Sequence, residues 1–126
     1  MAEAKTVRSI TGRQTTAGAP EESVLLTLDG AAPAATIAVG VDATLTITDW
    51  IVTAQAAANW RFQQTTDGVT WFDIALLRSA SDGTIVVHVG TGLVVNGGTL
   101  VAVRIRVETP GGAAAVTTTV RGYTAP

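Results

Sequence analysis

The sequence predicts an all-β protein, an antiparallel β-sandwich of the jelly-roll kind with eight to ten strands. Three observations carry that expectation. Thr66-Asp67-Gly68 stands between two aromatic-bearing runs, and Asp-Gly is a strong hairpin signal because the turn needs a positive φ that glycine adopts without steric cost. Residues 99–108 alternate strictly, with Val101, Val103, Ile105 and Val107 on one side and Ala102, Arg104, Arg106 and Glu108 on the other. That is the pattern of an antiparallel strand buried on one face. Turn signals recur at short intervals along the chain, and no segment carries a sustained helical period.

The elements follow in order. Residues 1–22 are polar and threonine-rich, broken by Gly12, Gly18 and Pro20. They are expected to form a partly ordered N-terminal arm with one short alternating run at 6–10, and residues 23–126 the sandwich. Lys5, Arg8 and Arg13 make the arm basic until Glu21 and Glu22 restore the balance. Residues 23–28 are apolar, and Asp29-Gly30 turns the chain; a short strand is expected over 36–39. The first long strand covers 43–54, with Leu45 and Ile47 on one face and Thr44, Thr46 and Thr48 on the other. At Asp49-Trp50 the phase slips, because Trp50 and Val52 share the parity of the threonines. A one-residue slip sends every side chain to the opposite face, so a β-bulge is expected near Asp49, the alternative being a strand buried on both faces beyond it.

Residues 54–58 have helix-friendly composition but are too short to nucleate a helix, and read as a loop. In the hairpin, Trp60, Phe62 and Gln64 share one face and Arg61 and Gln63 the other. Phe72, Ile74 and Leu76 then alternate with Trp71, Asp73 and Ala75. Ser81-Asp82-Gly83 turns into a strand over 84–89, and Gly90, Gly92, Gly97 and Gly98 bracket a short one over 93–95. Pro110-Gly111-Gly112 leads into 114–123, where Val116, Thr118 and Val120 alternate with Thr117, Thr119 and Arg121.

Composition bounds the function. Hydrophobic residues make up 47% and charged residues 14%, against about 25% charged in an average soluble domain. A lone monomer of this make-up exposes apolar surface, so a homo-oligomer is expected. A net charge of −2 gives nucleic acid or an anionic membrane no reason to bind, and no apolar run is long enough to span a bilayer. The absence of cysteine excludes disulfides, thiol catalysis and thiolate metal sites. Residues 1–5 lack the basic-then-apolar layout of a secretory signal, so synthesis in a cytoplasm is expected.

No segment carries a catalytic, metal or cofactor pattern, and the chain is not expected to be an enzyme. His88 is the only histidine; a general base or metal ligand needs partners that orient it or share the metal, and none lies nearby in sequence. Asp29, Asp67 and Asp82 each precede a glycine and serve turns, whereas Asp42, Asp49 and Asp73 are scattered without the alternating oxygen ligands of a calcium loop. Gly90-Thr91-Gly92 is followed by neither a helix nor Lys-Ser/Thr, so it is no phosphate loop. Of the tryptophans, Trp60 looks internal with Phe62, while Trp71 lies opposite the Phe72, Ile74 and Leu76 face and is the exposed candidate. Arg61, Arg104, Arg106 and Arg121 fall on outward strand faces. They suit interface ion pairs, or cross-strand pairing with Glu108 or Asp73.

Residues 97–107, Gly-Gly-Thr-Leu-Val-Ala-Val-Arg-Ile-Arg-Val, followed by a glycine-rich turn and Ala-Ala-Val-Thr-Thr-Thr-Val-Arg-Gly-Tyr at 114–123, resemble the ending of small tailed-phage virion proteins. These are single-domain β-sandwiches, some with the tumour-necrosis-factor-like jelly roll, that form trimers on capsids or tails. Residues 43–54 and the aromatic strand after them are similar to the same group, so the resemblance covers 43–123. It implies a non-enzymatic, trimeric capsid decoration (cement) protein on the virion surface. Its partners would be further copies of itself and the major capsid protein lattice, with no cofactor, nucleic acid or membrane. On that reading Lys5, Arg8 and Arg13 are the capsid-contact candidates, and Trp50, Arg104, Arg106 and Tyr123 the subunit-interface candidates. The hairpin from Trp60 through Gln63-Gln64-Thr65-Thr66-Asp67-Gly68 to Trp71 also resembles the Trp-x-x-x-x-Ser-x-Asp-Gly-x-x-Trp pattern of discoidin-like carbohydrate-binding sandwiches, with Thr65 where Ser is usual. That resemblance implies the alternative, a carbohydrate-binding or receptor-binding module of a tail or cell-surface protein, with Trp71 as its ligand residue.

Overall fold

A computed structural model describes residues 5–79 and 83–126, with the backbone alone for 88–92. Ten strands lie among the described residues: β1 (Thr6–Thr15), β2 (Glu22–Ser23), β3 (Leu26–Leu28), β4 (Ile37–Ala38), β5 (Thr44–Ala54), β6 (Ala58–Thr65), β7 (Trp71–Ser79), β8 (Gly83–Asn96), β9 (Ala102–Glu108) and β10 (Ala115–Ala125). They form two antiparallel sheets. The first runs β3-β1-β10-β5-β8 and the second β2-β9-β6-β7, with β4 also paired to β9. The first and last strands are neighbours inside one sheet, and the chain crosses between sheets at nearly every step. This is jelly-roll wiring, β1-β10-β5-β8 facing β4-β9-β6-β7.

The alternation in β9 is realised as read: Val103, Ile105 and Val107 are fully buried between the sheets, and Arg104 and Arg106 face outward. The phase slip in β5 is a bulge. Ile47 pairs with Gly122 and Asp49 with Arg121, leaving Thr48 as the extra residue. Leu45 and Ile47 before the bulge and Trp50, Val52 and Ala54 after it therefore all point into the core. Opposite the bulge, a Cβ on Gly122 would collide with the Thr46 carbonyl oxygen; the close approach of β5 and β10 requires glycine there.

The core centres on Trp50, Trp60 and Phe62, each 1% exposed. Trp50 and Phe62 meet edge to face, centroids 5.5 Å apart at 88°, the arrangement the ring quadrupoles favour. Both indole N–H groups are satisfied, Trp50 Nε1 donating to Thr118 Oγ1 at 3.0 Å and Trp60 Nε1 to Ser79 Oγ at 3.3 Å. An unpaired buried donor would cost about 1–3 kcal/mol each, so these hydroxyls are part of what lets the tryptophans be buried.

Four expectations are corrected. Residues 6–15 are not an arm outside the sandwich: β1 lies inside the first sheet, paired over its whole length with β10 and over three residues with β3. Gly12, which interrupts the strand's alternation, is needed where a Cβ would press on Val24 Cγ1 at 2.5 Å. Trp50 is not at a subunit interface but in the chain's own core. In β7, Ile74 is a bulge residue, Phe62 pairing with Ala75 and Gln63 with Asp73. Ala75 and Leu77 therefore pack on the core, and Leu76 turns outward, 60% exposed. β8 is one long strand through the expected glycine break, although its register with β5 shifts between His88 and Leu93. The Ser81-Asp82 part of the expected turn and the His88 side chain lie outside the described residues.

Candidate functional site

The two outer faces of the sandwich differ in chemistry. On the second sheet, cross-strand register brings Arg106 beside Arg61, Arg104 beside Gln63, and Gln63 beside Asp73. These side chains form one continuous network. The Arg104 guanidinium lies over the Trp71 ring, 4.1 Å from its centroid, and its Nε donates to Gln63 Oε1 at 2.8 Å. Gln63 Nε2 donates to Asp73 Oδ1 at 2.8 Å, and Arg61 bonds Asp73 Oδ2 at 2.6 Å. Glu21 then bridges Arg61 at 2.9 Å and Arg106 at 3.2 Å, while its carbonyl accepts from Arg106 at 2.9 Å. Burial lowers the Arg104 pKa, the Arg106 charge lowers it further, and Glu21 opposes both. The aromatic ring and the Gln63 amide hold a cation that, among the described residues, has no carboxylate within ion-pair distance.

The outer face of the first sheet carries fewer charges, Arg13, Arg121, Asp49 and, over Tyr123, Lys5. Thr11, Thr119, Ile51 and Val86 lie in one row across β1, β10, β5 and β8, and Thr53 and Thr84 exchange a hydroxyl hydrogen bond at 3.1 Å. Val7, Val86 and Val94 are 80%, 48% and 52% exposed. A shallow cleft of about 430 Å³, lined mainly by threonines with Arg13 at its side, opens where β3 borders β1.

A third surface lies at one end of the sandwich. Gly97 N donates to Ala43 O at 2.7 Å and Gly98 N to Val39 O at 3.3 Å, which ties the turn at 97–100 to the one at 40–43. A Cβ placed on Gly68 would lie 3.9 Å from Leu100 Cβ, so the β6–β7 loop joins them. Val41, Val69 and Leu100, on these three loops, are 59%, 81% and 57% exposed. Asp67 fixes its loop by accepting from the backbone N–H of Thr70 at 2.7 Å and Val69 at 2.8 Å. Those bonds hold its carboxyl down at about 2.

The predicted site residues do not converge. Lys5 is exposed, with its ammonium 4.7 Å from the Tyr123 ring centroid. Arg8 pairs with Asp29 at 2.8 Å and donates from Nε to Thr124 Oγ1 at 3.2 Å. That contact is the first cause holding the Asp29 carboxyl below its ordinary value, the Ser9 backbone N–H the second. Arg13 is exposed on the first sheet, opposite Thr117 and five residues along β1 from Arg8. Tyr123 is on the first sheet's outer face, Arg104 and Arg106 on the second sheet's, and Trp50 on neither. Arg61 does pair with Asp73, but Arg106 finds Glu21 and not Glu108. The sequence carries no signal that groups Glu21 with Gln63 and Asp73, because only the pairing of segments distant along the chain brings them together. Among the described residues no cluster of three or more His, Asp or Glu side chains could hold a metal ion.

The geometry defines a jelly-roll sandwich with one ionic face, one hydroxyl-and-aliphatic face and an apolar loop end. No family model, curated protein or solved structure matches the chain.

Proposed function

We propose that this chain is a non-enzymatic structural protein of a tailed-phage virion, a decoration protein that assembles as a trimer and sits on the capsid surface. The observation that carries the reading is the placement of exposed aliphatic residues on two separate surfaces of a sandwich whose buried side-chain polar atoms all have partners among the described residues. A cement protein needs two such surfaces, one for its own copies and one for the lattice. The loop end with Val41, Val69 and Leu100 is the lattice surface, and Lys5 belongs to the strand terminus on the same side, since Thr6 pairs with Thr124 and Ala125 with Thr44. Binding only the assembled lattice stabilises it by mass action, and three linked contacts add avidity to a weak single one.

The test is cosedimentation with expanded capsids assembled from the major capsid protein encoded in the same genome. The wild type should pellet with them and Leu100→Glu should not, while keeping the wild-type solution mass. A wild-type protein that stays in the supernatant, or a genome without such a capsid protein, overturns the reading. Carbohydrate binding through Trp71 has less behind it, because the Arg104 guanidinium occupies a ring face on which a sugar would stack.

A further inference from the structure

We propose that copies of this chain meet through the outer face of the first sheet. The inference rests on the assembly reading above and adds to it the face, which neither composition nor hydrophobic pattern identifies. Four long strands about 4.8 Å apart and ten to fourteen residues long present a face of about 700 Å². A stable interface takes about 800 Å² from each partner. The row Thr11, Thr119, Ile51 and Val86 crosses the middle of that face, with Val7 and Val94 exposed toward one end. Arg13, Arg121, Asp49 and, over Tyr123, Lys5 are charged groups on it, and Arg121 and Asp49 are direct neighbours across β10 and β5. Covering the face therefore strips water from fewer ions than covering the second sheet's outer face would, and that desolvation is the term that makes polar interfaces expensive.

The other surfaces suit a second copy less well. On the second sheet Arg61, Arg106, Glu21 and Asp73 are already paired with one another, so burial there would desolvate a network without giving it new partners. The sheet edges are blunted: β2, β3 and β4 have two or three residues, β7 carries the bulge at Ile74, and the β8 register breaks between His88 and Leu93. Short or bulged edges resist strand-to-strand pairing. Hydroxyls and branched aliphatics fill the row between the charged groups, so another copy of the same chain can pack there without meeting the paired arginines and carboxylates of the second sheet.

The experiment is light scattering coupled to size exclusion over a concentration series, with far-UV circular dichroism as the folding control. Thr119→Arg and Val86→Glu place a charge on the face; Leu76→Glu places one on the second sheet's outer face. The wild type and Leu76→Glu should share one oligomeric mass. Thr119→Arg, on a central strand, should dissociate about a hundredfold more readily, as expected for a charge buried at an interface centre, and Val86→Glu, on the edge strand β8, about tenfold. Should Thr119→Arg fail to fold, Val86→Glu decides, since that side chain is 48% exposed. A folded Val86→Glu that keeps the wild-type mass, or a Leu76→Glu protein that falls apart, overturns the assignment of the face alone. A wild type that is monomeric at every concentration overturns the assembly reading, and this inference with it.

Discussion

Thr118→Val tests the central claim about the core, that a buried tryptophan is tolerated because a strand hydroxyl meets its N–H. Thr118 is 2% exposed; its Oγ1 accepts from Trp50 Nε1 at 3.0 Å and donates to Ile51 O at 3.2 Å. Valine fills nearly the same volume, so no cavity opens, and the change isolates the polar term. It leaves the indole N–H unpaired in a site where Trp50 is 1% exposed. Leaving such a donor unsatisfied costs about 1–3 kcal/mol, offset in part by the more favourable burial of a methyl group. We expect a net loss of about 1–2 kcal/mol, a fall in Tm of about 3–10 °C for a domain of this size. Equilibrium urea unfolding followed by tryptophan fluorescence measures it directly, provided the slope with denaturant is unchanged. Thr119→Val, one residue on and facing outward, should stay within about 0.5 kcal/mol of wild type. A double-mutant cycle with Trp50→Phe should return a coupling of about 1 kcal/mol. Thr118→Val within about 0.5 kcal/mol of wild type, or a coupling near zero, would refute the argument.

Three further outcomes are expected. Gly122→Ala forces a Cβ against the Thr46 carbonyl oxygen and should cost about 3 kcal/mol or more by overpacking; an alanine variant with wild-type urea midpoint contradicts the close approach. Asp67 has a folded pKa of about 2 against an ordinary 3.8, so its contribution is present above the ordinary value and lost as pH falls through the folded one. Asp67→Asn should accordingly flatten the acid side of the Tm–pH profile between those two values, and an unchanged slope there removes the loop-fixing role. Deleting residues 1–20 removes β1 from between β3 and β10 and should abolish the folded state in circular dichroism. A folded, soluble deletion product would restore the arm.

The sequence determined the class of this protein because the decisive signals are local. A period of two along residues 99–108, the Asp-Gly turns at 29–30 and 67–68 and the parity change at Asp49 each depend on a few neighbouring residues, and each appears in the structure as β9, the two turns and the Thr48 bulge. The same local logic failed where glycine and threonine interrupt a strand. β1 reads as a frayed end, yet ten pairings with β10 hold it inside the sheet. The sites were decided by tertiary structure alone. The arginines were visible as outward residues, but that Arg61 and Arg106 share Glu21 and that Arg104 lies on Trp71 depends on which strands are neighbours. The wiring that makes β9 the neighbour of both β2 and β6 joins residues more than eighty positions apart, as in the contact of Arg106 with Glu21. A two-residue period says which side of a strand is wet, but not what faces it across the sheet.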